Sequence, residues 1–266
     1  MTSTLTHIYR YPFKSAAAEL LDEASVEALG LAGDRRWMAV DANGRFISGR
    51  EHGRMWLVRA TLDGAAIHLH CDGMPMLRVD PTDLGERIDV TLWKDCLSVR
   101  TGSKSADAWM SQFLGQPVRV VHLDQQTHRA IDPTYAQPGD EVSLADGYPL
   151  LLISQASLDG LNARLDQSIE MLRFRPSVVV SAEQAHAEDD WRRVRIGDIE
   201  LDLVKPCARC LLPTVDPQTG VRDPSGEPMR TLMQYRRSAK GVLFGQNLIP
   251  RRTGVIRVGD PVQIIA

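Results

Sequence analysis

The sequence predicts an α+β protein rich in β-strands, with an N-terminal β-barrel-like domain over residues 1–117 and a C-terminal β-barrel domain over residues 118–266 that carries a few helices. Three observations lead to this prediction. Short apolar stretches of strand character recur along the chain, glycine-rich turns separate them, and only a few segments show helical spacing. This pattern favours barrel-like β architecture over a doubly wound parallel sheet.

Two hairpins are predicted in the first hundred residues. Segments 35–40 and 45–47 flank a turn that contains Asn43-Gly44, a dipeptide typical of tight hairpins. Segments 55–62 and 65–71 flank Asp63-Gly64 in the same way. Segments 88–93 and 96–100 continue the strand pattern.

A helix is predicted between the two halves, beginning near Ser103 and stopped by Gly115. In the second half, a helix over about 154–165 has a leucine stripe, and Ser154 or Ser157 is its candidate cap. Another helix opens at 226–228 with proline in its first turn. The predicted strands of this half are 118–123, 178–180, 199–204, 255–258 and 262–265.

Composition sets limits on function. A net charge of −3 over 266 residues gives no general attraction to nucleic acid or to an anionic membrane. The longest apolar run, 148–153, is far shorter than the roughly 20 residues of a membrane span. Residues 1–4 lack the apolar stretch of a secretion signal, so a cytoplasmic location is expected, and four cysteines in such a chain do not suggest a disulfide framework.

The most unusual segment is 205–220, which contains Cys207-Ala208-Arg209-Cys210. Spacing alone leaves three interpretations open: part of a zinc site, a redox dithiol, or two buried core cysteines. Zinc would need more ligands than are found nearby, and Pro213 and Pro217 disfavour the helix that usually follows a redox dithiol. Arg209 favours a thiolate beside it, the form that binds soft metals, and this makes Cys210 a candidate ligand.

Several motifs in this order give the chain a recognisable signature. They are the Cys-Ala-Arg-Cys segment with Thr214-Val215-Asp216-Pro217 and Thr219-Gly220, together with 11–15 (Tyr-Pro-Phe-Lys-Ser), 33–37 (Gly-Asp-Arg-Arg-Trp), 148–154 (Tyr-Pro-Leu-Leu-Leu-Ile-Ser), 173–176 (Arg-Phe-Arg-Pro), 244–247 (Phe-Gly-Gln-Asn) and 258–262 (Val-Gly-Asp-Pro-Val). Over nearly its whole length the chain resembles the MOSC family, named after the C-terminal domain of molybdenum cofactor sulfurase. It is most similar to the branch that contains the mitochondrial amidoxime-reducing component and its bacterial relatives.

The resemblance implies a molybdenum cofactor and a set of site residues. Cys210 matches the cysteine that binds molybdenum, and Cys207 then packs beside it. Residues that match cofactor contacts are Lys14, Ser15, Arg35 and Arg175, with Ser154, Ser157, Arg209, Thr214 and Asp216 as further pocket members. A cofactor with a phosphate and a dithiolene-bound metal needs several fixed cations, which the lysine and arginines of this set provide. Asp216 is the candidate for orienting the ligand or handling protons.

The resemblance also implies an activity: reduction of N-hydroxylated compounds such as amidoximes and hydroxylamines, with the cofactor in the cleft between the two domains. Some bacterial relatives carry an added iron-sulfur domain, whereas this chain has no cysteine after Cys210, so electrons are expected from a separate redox protein. The alternative is a carrier of the cofactor, or of sulfur on Cys210, without turnover of its own. Pyridoxal phosphate has been suggested for the wider family, but no lysine here stands out as a Schiff-base former.

Two departures from the family pattern bear on the pocket. Ala16-Ala17-Ala18 follow the Lys-Ser pair where relatives often have cysteine or arginine and then glycine. Ser177 stands where relatives often have asparagine after Arg-Pro. Both positions are expected to affect cofactor geometry and substrate range.

Overall fold

A computed structural model describes residues 3–266 of the chain. Met1 and Thr2, part of the segment 1–4 in which no secretion signal was expected, lie outside the described residues. The strands are β1 (Ser3–Arg10), β2 (Glu19–Leu21), β3 (Glu23–Glu27), β4 (Gly30–Leu31), β5 (Trp37–Val40), β6 (Arg59–Asp63), β7 (Ala66–His70), β8 (Leu77–Val79), β9 (Arg87–Leu92), β10 (Asp95–Thr101), β11 (Arg119–His122), β12 (Leu150–Ser154), β13 (Val178–Val180), β14 (Arg193–Ile196), β15 (Ile199–Arg209), β16 (Arg237–Ser238), β17 (Gly241–Pro250), β18 (Gly254–Arg257) and β19 (Pro261–Ile264). The α-helices are α1 (Lys104–Leu114), α2 (Gln155–Asn162) and α3 (Met229–Tyr235), and short 3-10 helices cover Gly53–Leu57, Pro81–Asp83, Met171–Phe174, Ala187–Asp189 and Leu212–Thr214.

Seven strands form a closed barrel in the order β12, β13, β1, β19, β14, β15 and β17, and β17 pairs back to β12. Neighbouring strands are antiparallel except β12 and β13, which are parallel and are joined through α2, as a parallel pair requires a crossover. The interior is filled by aliphatic side chains such as Ile8, Leu152, Leu201 and Leu248, all fully buried. The barrel therefore encloses a packed core rather than a channel.

The N-terminal part is also barrel-like. Its sheet has the order β5, β11, β10 and β9, and bridges at Arg45 and Phe46 connect the loop after β5 to β9 and β5. A second sheet of β6, β7 and β8 packs with α1 around a separate apolar core. The predicted fold class, β-rich with two barrel-like parts and few helices, is confirmed.

Hydrogen-bonded strands cross the predicted division between residues 117 and 118 in both directions. β1, at the start of the chain, pairs with β13 and β19 of the closed barrel. β18, near the end, pairs with β3, and β11 completes the N-terminal sheet. The two parts are thus joined through their sheets, and the exact domain boundary stays a prediction.

Several local predictions are confirmed and others need correction. α1 begins after Ser103, whose hydroxyl accepts the Ala106 N–H at 3.2 Å, and ends at Gly115 with φ of 70°. The hairpin of β6 and β7 is present, but Gly53–Leu57, part of which was expected in its first strand, is a 3-10 helix. α2 ends at Asn162, three residues before the expected end. Within residues 3–266, no helix is both long and apolar enough to span a bilayer.

Candidate functional site

A pocket lies where the N-terminal part meets the closed barrel. It contains about 750 Å³ of space free of protein atoms, a volume that includes open solvent at its mouth. Both parts of the chain line it: Lys14, Ser15, Arg35, Phe46, Ser48, Gly49, Arg50 and Trp93 from the first, and Ala145–Leu151, Phe174, Arg175, Ser177, Cys207, Arg209, Leu212 and Asn247 from the second.

Three of the predicted cations, Lys14, Arg35 and Arg175, meet in this pocket. Lys14 is 5 % exposed, and its Nζ donates to the Leu144 carbonyl at 2.7 Å and to Asp146 Oδ1 at 2.8 Å. Arg35 donates to the fully buried Asp34 at 2.6 Å. Lysine and arginine are almost never buried unless they are paired, and here the hydrogen bonds and ion pairs offset the cost of burying their charge.

Tyr11 links two of these cations. Its ring lies 4.2 Å from the guanidinium carbon of Arg35 and 4.2 Å from that of Arg175, and its hydroxyl donates to the Pro176 carbonyl. Asp34 also accepts the Tyr11 backbone N–H at 2.7 Å. Arg175 is further fixed by donation to the Ala16 carbonyl at 2.7 Å. The predicted Tyr-Pro-Phe-Lys-Ser and Gly-Asp-Arg motifs therefore fold into one cationic wall.

Burial shifts the acid–base properties of this wall. It lowers the pKa of Lys14 to about 8, although the charge of Asp146 opposes the shift, and it lowers the pKa of Arg175 to about 10. Burial alone would also lower the pKa of Arg35, but the charge and hydrogen bond of Asp34 together with Tyr11 and Asp146 outweigh burial and raise this pKa. The arginines stay charged near neutral pH, whereas Lys14 loses its proton in the mildly alkaline range.

Backbone strain is concentrated at this pocket. Among residues 3–266, five non-glycine residues have positive φ, and four of them line the pocket: Ser15 (69°), Arg35 (47°), Trp93 (57°) and Arg175 (54°). Such conformations cost of order 1–3 kcal/mol each and persist where surrounding structure fixes them, commonly at functional sites. The sequence does not predict these conformations, because serine, arginine and tryptophan rarely adopt positive φ.

The Cys-Ala-Arg-Cys segment forms the opposite wall at the end of β15. Cys207 lines the pocket, and its Sγ accepts from Arg209 Nη1 at 3.0 Å; Arg209 Nη2 donates to the Phe174 carbonyl at 2.7 Å. Cys210 is half-buried, and its Sγ accepts the backbone N–H of Leu212, a lining residue, at 3.4 Å. Cys210 thus lies beside the lined pocket, and its role as the metal ligand stays a prediction.

The rim of the pocket was not predicted from the sequence. The Arg50 guanidinium stacks on Trp93 at 4.2 Å, and Trp93 Nε1 donates to Asp146 Oδ1 at 3.3 Å. Asp146 is also 3.5 Å from Arg50. Burial alone would raise the pKa of Asp146, but the charge of Lys14 and its hydrogen bond hold it well below the ordinary value. The only signal in the sequence is that Asp146 lies two residues before the Tyr-Pro motif of 148–154.

Ser154 and Ser157, predicted in the pocket, lie elsewhere. Both hydroxyls are fully buried and donate to the buried carboxylate of Glu188, at 2.8 and 2.7 Å. The Ser154 hydroxyl also accepts the Ser157 N–H and caps α2. Neither serine is among the pocket-lining residues. Ser154 caps the helix, and both hydroxyls stabilise the charge of Glu188.

Thr214 and Asp216 are also outside the pocket lining. The Thr214 hydroxyl donates to the Leu211 carbonyl at 2.7 Å. Asp216 accepts the backbone N–H groups of Gln218 and Thr219 and pairs with Arg173 at 3.1 Å. They fold the loop after Cys210 rather than face the pocket, so the proton-handling role of Asp216 stays untested and has no geometric support.

The two sequence departures have visible consequences. The Ala16 carbonyl holds Arg175, while Ala17 and Ala18 line a separate shallow cleft. The Ser177 hydroxyl accepts the Leu151 N–H at 3.2 Å, so this residue of the pocket wall is already engaged.

The pocket is suited to an anionic ligand that also offers a soft metal. Five cationic side chains and one carboxylate line it, and sulfur faces it from Cys207. Among the described residues no group of three or more His, Cys, Asp or Glu is placed to hold a metal ion, which argues against a protein-only zinc site. A metal bound in this pocket would take most of its ligands from a cofactor rather than from the protein.

Comparisons with known proteins agree with this arrangement. Residues 2–117 match the family model described as the MOSC N-terminal beta barrel domain, and residues 139–263 match the MOSC domain. Mitochondrial amidoxime-reducing component 1 from Homo sapiens is 32 % identical over 98 % of this chain and 83 % of its own length; the Danio rerio protein of that name is 34 % identical over 97 % and 83 %. Among solved structures, the YUAD protein from Bacillus subtilis is 11 % identical over 98 % of this chain and 94 % of its own, with a TM-score of 0.43.

Proposed function

The chain belongs to the MOSC family, and on this premise we propose that it is a molybdenum-cofactor-dependent oxidoreductase that reduces N-hydroxylated compounds, with electrons from a separate redox protein. The observation that carries the proposal is that the cations Lys14, Arg35 and Arg175 line the same pocket as Cys207 and Arg209 of the cysteine segment. The relatives named for amidoxime reduction span nearly the whole chain and support the substrate class.

The residues present fit the cofactor. Lys14 pairs with Asp146 and Arg35 with Asp34, but no carboxylate within residues 3–266 forms an ion pair with the buried Arg175. A buried cation without a carboxylate is unfavourable unless an anion joins it. Arg209 Nε is buried and has no hydrogen-bond partner within residues 3–266, which leaves a donor for a ligand. A phosphate with its pterin matches the cations, and a dithiolene-bound metal needs only one further thiolate.

The chain's own residues would divide the work as follows. Lys14, Arg35 and Arg175 hold the anionic end, because fixed charge-assisted donors bind phosphate strongly. Cys210 supplies the thiolate, and Arg209 fixes the neighbouring Cys207 and ties the segment to the Phe174 carbonyl. When bound, the cofactor would supply the two-electron redox chemistry for reduction of the substrate.

The rim residues would limit access to the pocket. Arg50 and Trp93 come from the first part of the chain and Asp146 from the second, and stacking and hydrogen bonds join the three at the pocket. A planar N-hydroxylated substrate that enters past them meets an aromatic surface and an ionised carboxylate. These contacts orient the substrate while the cation wall keeps the cofactor in place.

The test asks whether the protein reduces an N-hydroxylated substrate or only delivers its cofactor to another enzyme. Protein purified with molybdenum cofactor, supplied with dithionite and benzamidoxime, is expected to release benzamidine, measured by chromatography. Arg175→Gln should lower this rate by about a hundredfold, since it removes a buried cation contacting the anion. The exposed Arg59→Gln, outside the pocket lining, is the control and should leave the rate unchanged.

A carrier function is the second candidate, favoured by the position of Cys210 on a half-exposed loop. A carrier would deliver its cofactor to a cofactor-free acceptor enzyme and would not reduce benzamidoxime. Hand-over without benzamidine formation would overturn the reductase proposal and establish the carrier.

A further inference from the structure

One stretch of the chain is strongly basic. Residues 228–259 contain seven arginines and lysines and no aspartate or glutamate, although acidic residues outnumber basic ones in the whole chain, 34 to 31. None of these seven cations lines the pocket, so cofactor binding does not account for them.

The structure gathers part of this charge on one surface. Arg230 and Met233 are three residues apart in α3, which places them on one side of the helix. Arg237 follows the end of the helix, in β16. Lys240 is in the turn between β16 and β17, and Arg164 reaches over the Tyr235 ring at 4.6 Å. We define these five residues as the α3 patch: Arg164, Arg230, Met233, Arg237 and Lys240. All are exposed, Met233 by 48 %.

The α3 patch keeps most of its charge unpaired. Arg230 forms an ion pair with Glu227. Within residues 3–266, no carboxylate lies within ion-pair distance of Arg164, Arg237 or Lys240. An exposed apolar side chain surrounded by free cations is the composition expected of a surface that binds an acidic protein.

Packed aromatic rings connect this patch to the pocket. Tyr235, below Arg164, lies 5.7 Å from the His186 ring, and His186 lies 5.8 Å from Phe244, measured between ring centroids. Phe244 stacks on Phe174 at 4.2 Å. Phe174 lines the pocket, and its carbonyl accepts from Arg209, which in turn donates to Cys207. Electronic coupling falls steeply with distance and is better through packed atoms than across gaps, so this is a continuous route from patch to thiols.

We propose that the α3 patch is the docking surface for the electron donor, a small redox protein with an acidic face. The inference rests on the proposed function. In each turnover the donor is oxidised by two electrons; these and two protons cleave the N–O bond of the substrate, giving the amidine and water. None of the five patch residues lines the pocket, so donor and substrate would have separate contact residues.

The test uses the cofactor-loaded protein with benzamidoxime and three electron sources: dithionite, a reduced acidic [2Fe–2S] ferredoxin and a reduced flavodoxin. The variant is Arg237→Glu combined with Lys240→Glu. With the acidic protein donor, the KM for donor is expected to rise about tenfold at low salt, because opposed charges no longer guide the encounter. The KM for benzamidoxime and the dithionite-driven rate should stay unchanged, and raising the salt concentration should weaken the wild type more than the variant.

Two single variants serve as controls. Arg252→Glu changes an exposed cation of the same basic stretch outside the α3 patch and should have no effect. Lys94→Glu reverses an exposed charge next to Trp93 at the pocket rim. A higher donor KM from Lys94→Glu but not from the patch variant would place the donor at the pocket mouth and overturn the proposal, as would failure of both acidic proteins to support turnover while dithionite does. Loss of dithionite-driven turnover in the wild type would instead contradict the proposed function itself.

Discussion

The two walls of the pocket are built in different ways. The cation wall is rigid: Lys14 and Arg175 are buried, their charged groups bond to backbone carbonyls, and Ser15, Arg35 and Arg175 hold strained backbone conformations. The thiol wall is looser, since both cysteines are half-buried and the neighbouring Leu211 is 56 % exposed. A buried charge is stable only when fixed partners surround it, whereas a cysteine that binds a metal can lie on a flexible loop, because the metal itself fixes its position. The comparison suggests that the first wall selects the anion and the second takes the metal.

The most drastic way to break this arrangement is to remove the sulfur ligand. Cys210→Ser is expected to lower molybdenum content by more than about tenfold, because a hydroxyl is a poor ligand for a soft metal. Cys207→Ser should keep most of the metal. Elemental analysis of freshly purified protein measures both, with the exposed Cys96→Ser as control. Equal molybdenum in the wild type and Cys210→Ser would remove Cys210 as the ligand.

The rigidity of the cation wall depends on Asp34. Asp34→Asn is expected to lower the free energy of unfolding by about 3 kcal/mol, since it leaves Arg35 without its buried counter-charge. Denaturant unfolding followed by fluorescence measures the change. The exposed Asp166→Asn should be neutral, and a similar small loss in both variants would show that the pair with Arg35 contributes little.

The pH dependence of cofactor retention sharpens the contrast between the walls. Burial lowers the pKa of Lys14 to about 8, so its positive charge is present below that pH and is lost above it. Arg175, with a pKa lowered to about 10, stays charged through this range. Cofactor affinity should therefore fall by about tenfold between pH 7 and pH 9.5 through loss of one charge-assisted contact.

Lys14→Met and Lys14→Arg test whether the lysine causes this decline. Lys14→Met should bind more weakly at pH 7 and lose the alkaline decline, while Lys14→Arg should extend tight binding to higher pH. Molybdenum retained after dialysis at each pH is the measurement. A decline that persists unchanged in Lys14→Met would assign it to another group.

The buried serines predict a stability effect without a functional one. Ser157→Ala removes a hydroxyl that donates to Glu188 at 2.7 Å and accepts the His186 N–H at 2.7 Å. The expected loss is about 1–2 kcal/mol in the free energy of unfolding, because two buried polar groups lose a partner. Molybdenum content at 20 °C below the new melting temperature should stay at the wild-type level. A selective loss of metal would return Ser157 to the site.

Asp216 gives the smallest expected effect. Its ion pair with Arg173 is partly exposed, so Asp216→Asn should cost no more than about 1 kcal/mol. The pH profile of benzamidoxime turnover should keep its shape, since Asp216 lies outside the pocket lining. Loss of one limb of that profile would support the proton-handling role expected from the sequence.

Some elements could be predicted from local signals, and others could not. α1 has a serine cap and a terminating glycine, and the β6–β7 hairpin has an Asp-Gly turn, so their ends follow from nearby residues. β17 closes the barrel but was not predicted, because it is buried along most of its length and shows no alternation. β1 likewise pairs with strands from the far end of the chain, which no local pattern reveals.

The candidate site divides in the same way. Lys14, Ser15, Arg35, Arg175 and Arg209 were found because they stand in motifs whose order along the chain is specific, and the structure brings them to one pocket. Arg50, Trp93 and Asp146 were missed, because each is an ordinary residue until folding places it at the rim. Ser154 and Ser157 were predicted in the pocket from the family resemblance, whereas at the end of β12 and in α2 both donate to the buried Glu188.

By itself the sequence determined the strand-rich class, the family and the chemical types that meet at the site: cations, hydroxyls and a pair of thiols. Only the tertiary structure decided which of them share a pocket and which form contacts inside the protein instead. It also decided where unpaired positive charge lies on the surface. The physical reason is that propensities and turn signals act over a few residues, whereas burial, ion pairing and strain depend on neighbours that the chain brings together from more than a hundred residues apart, as with Lys14 and Asp146.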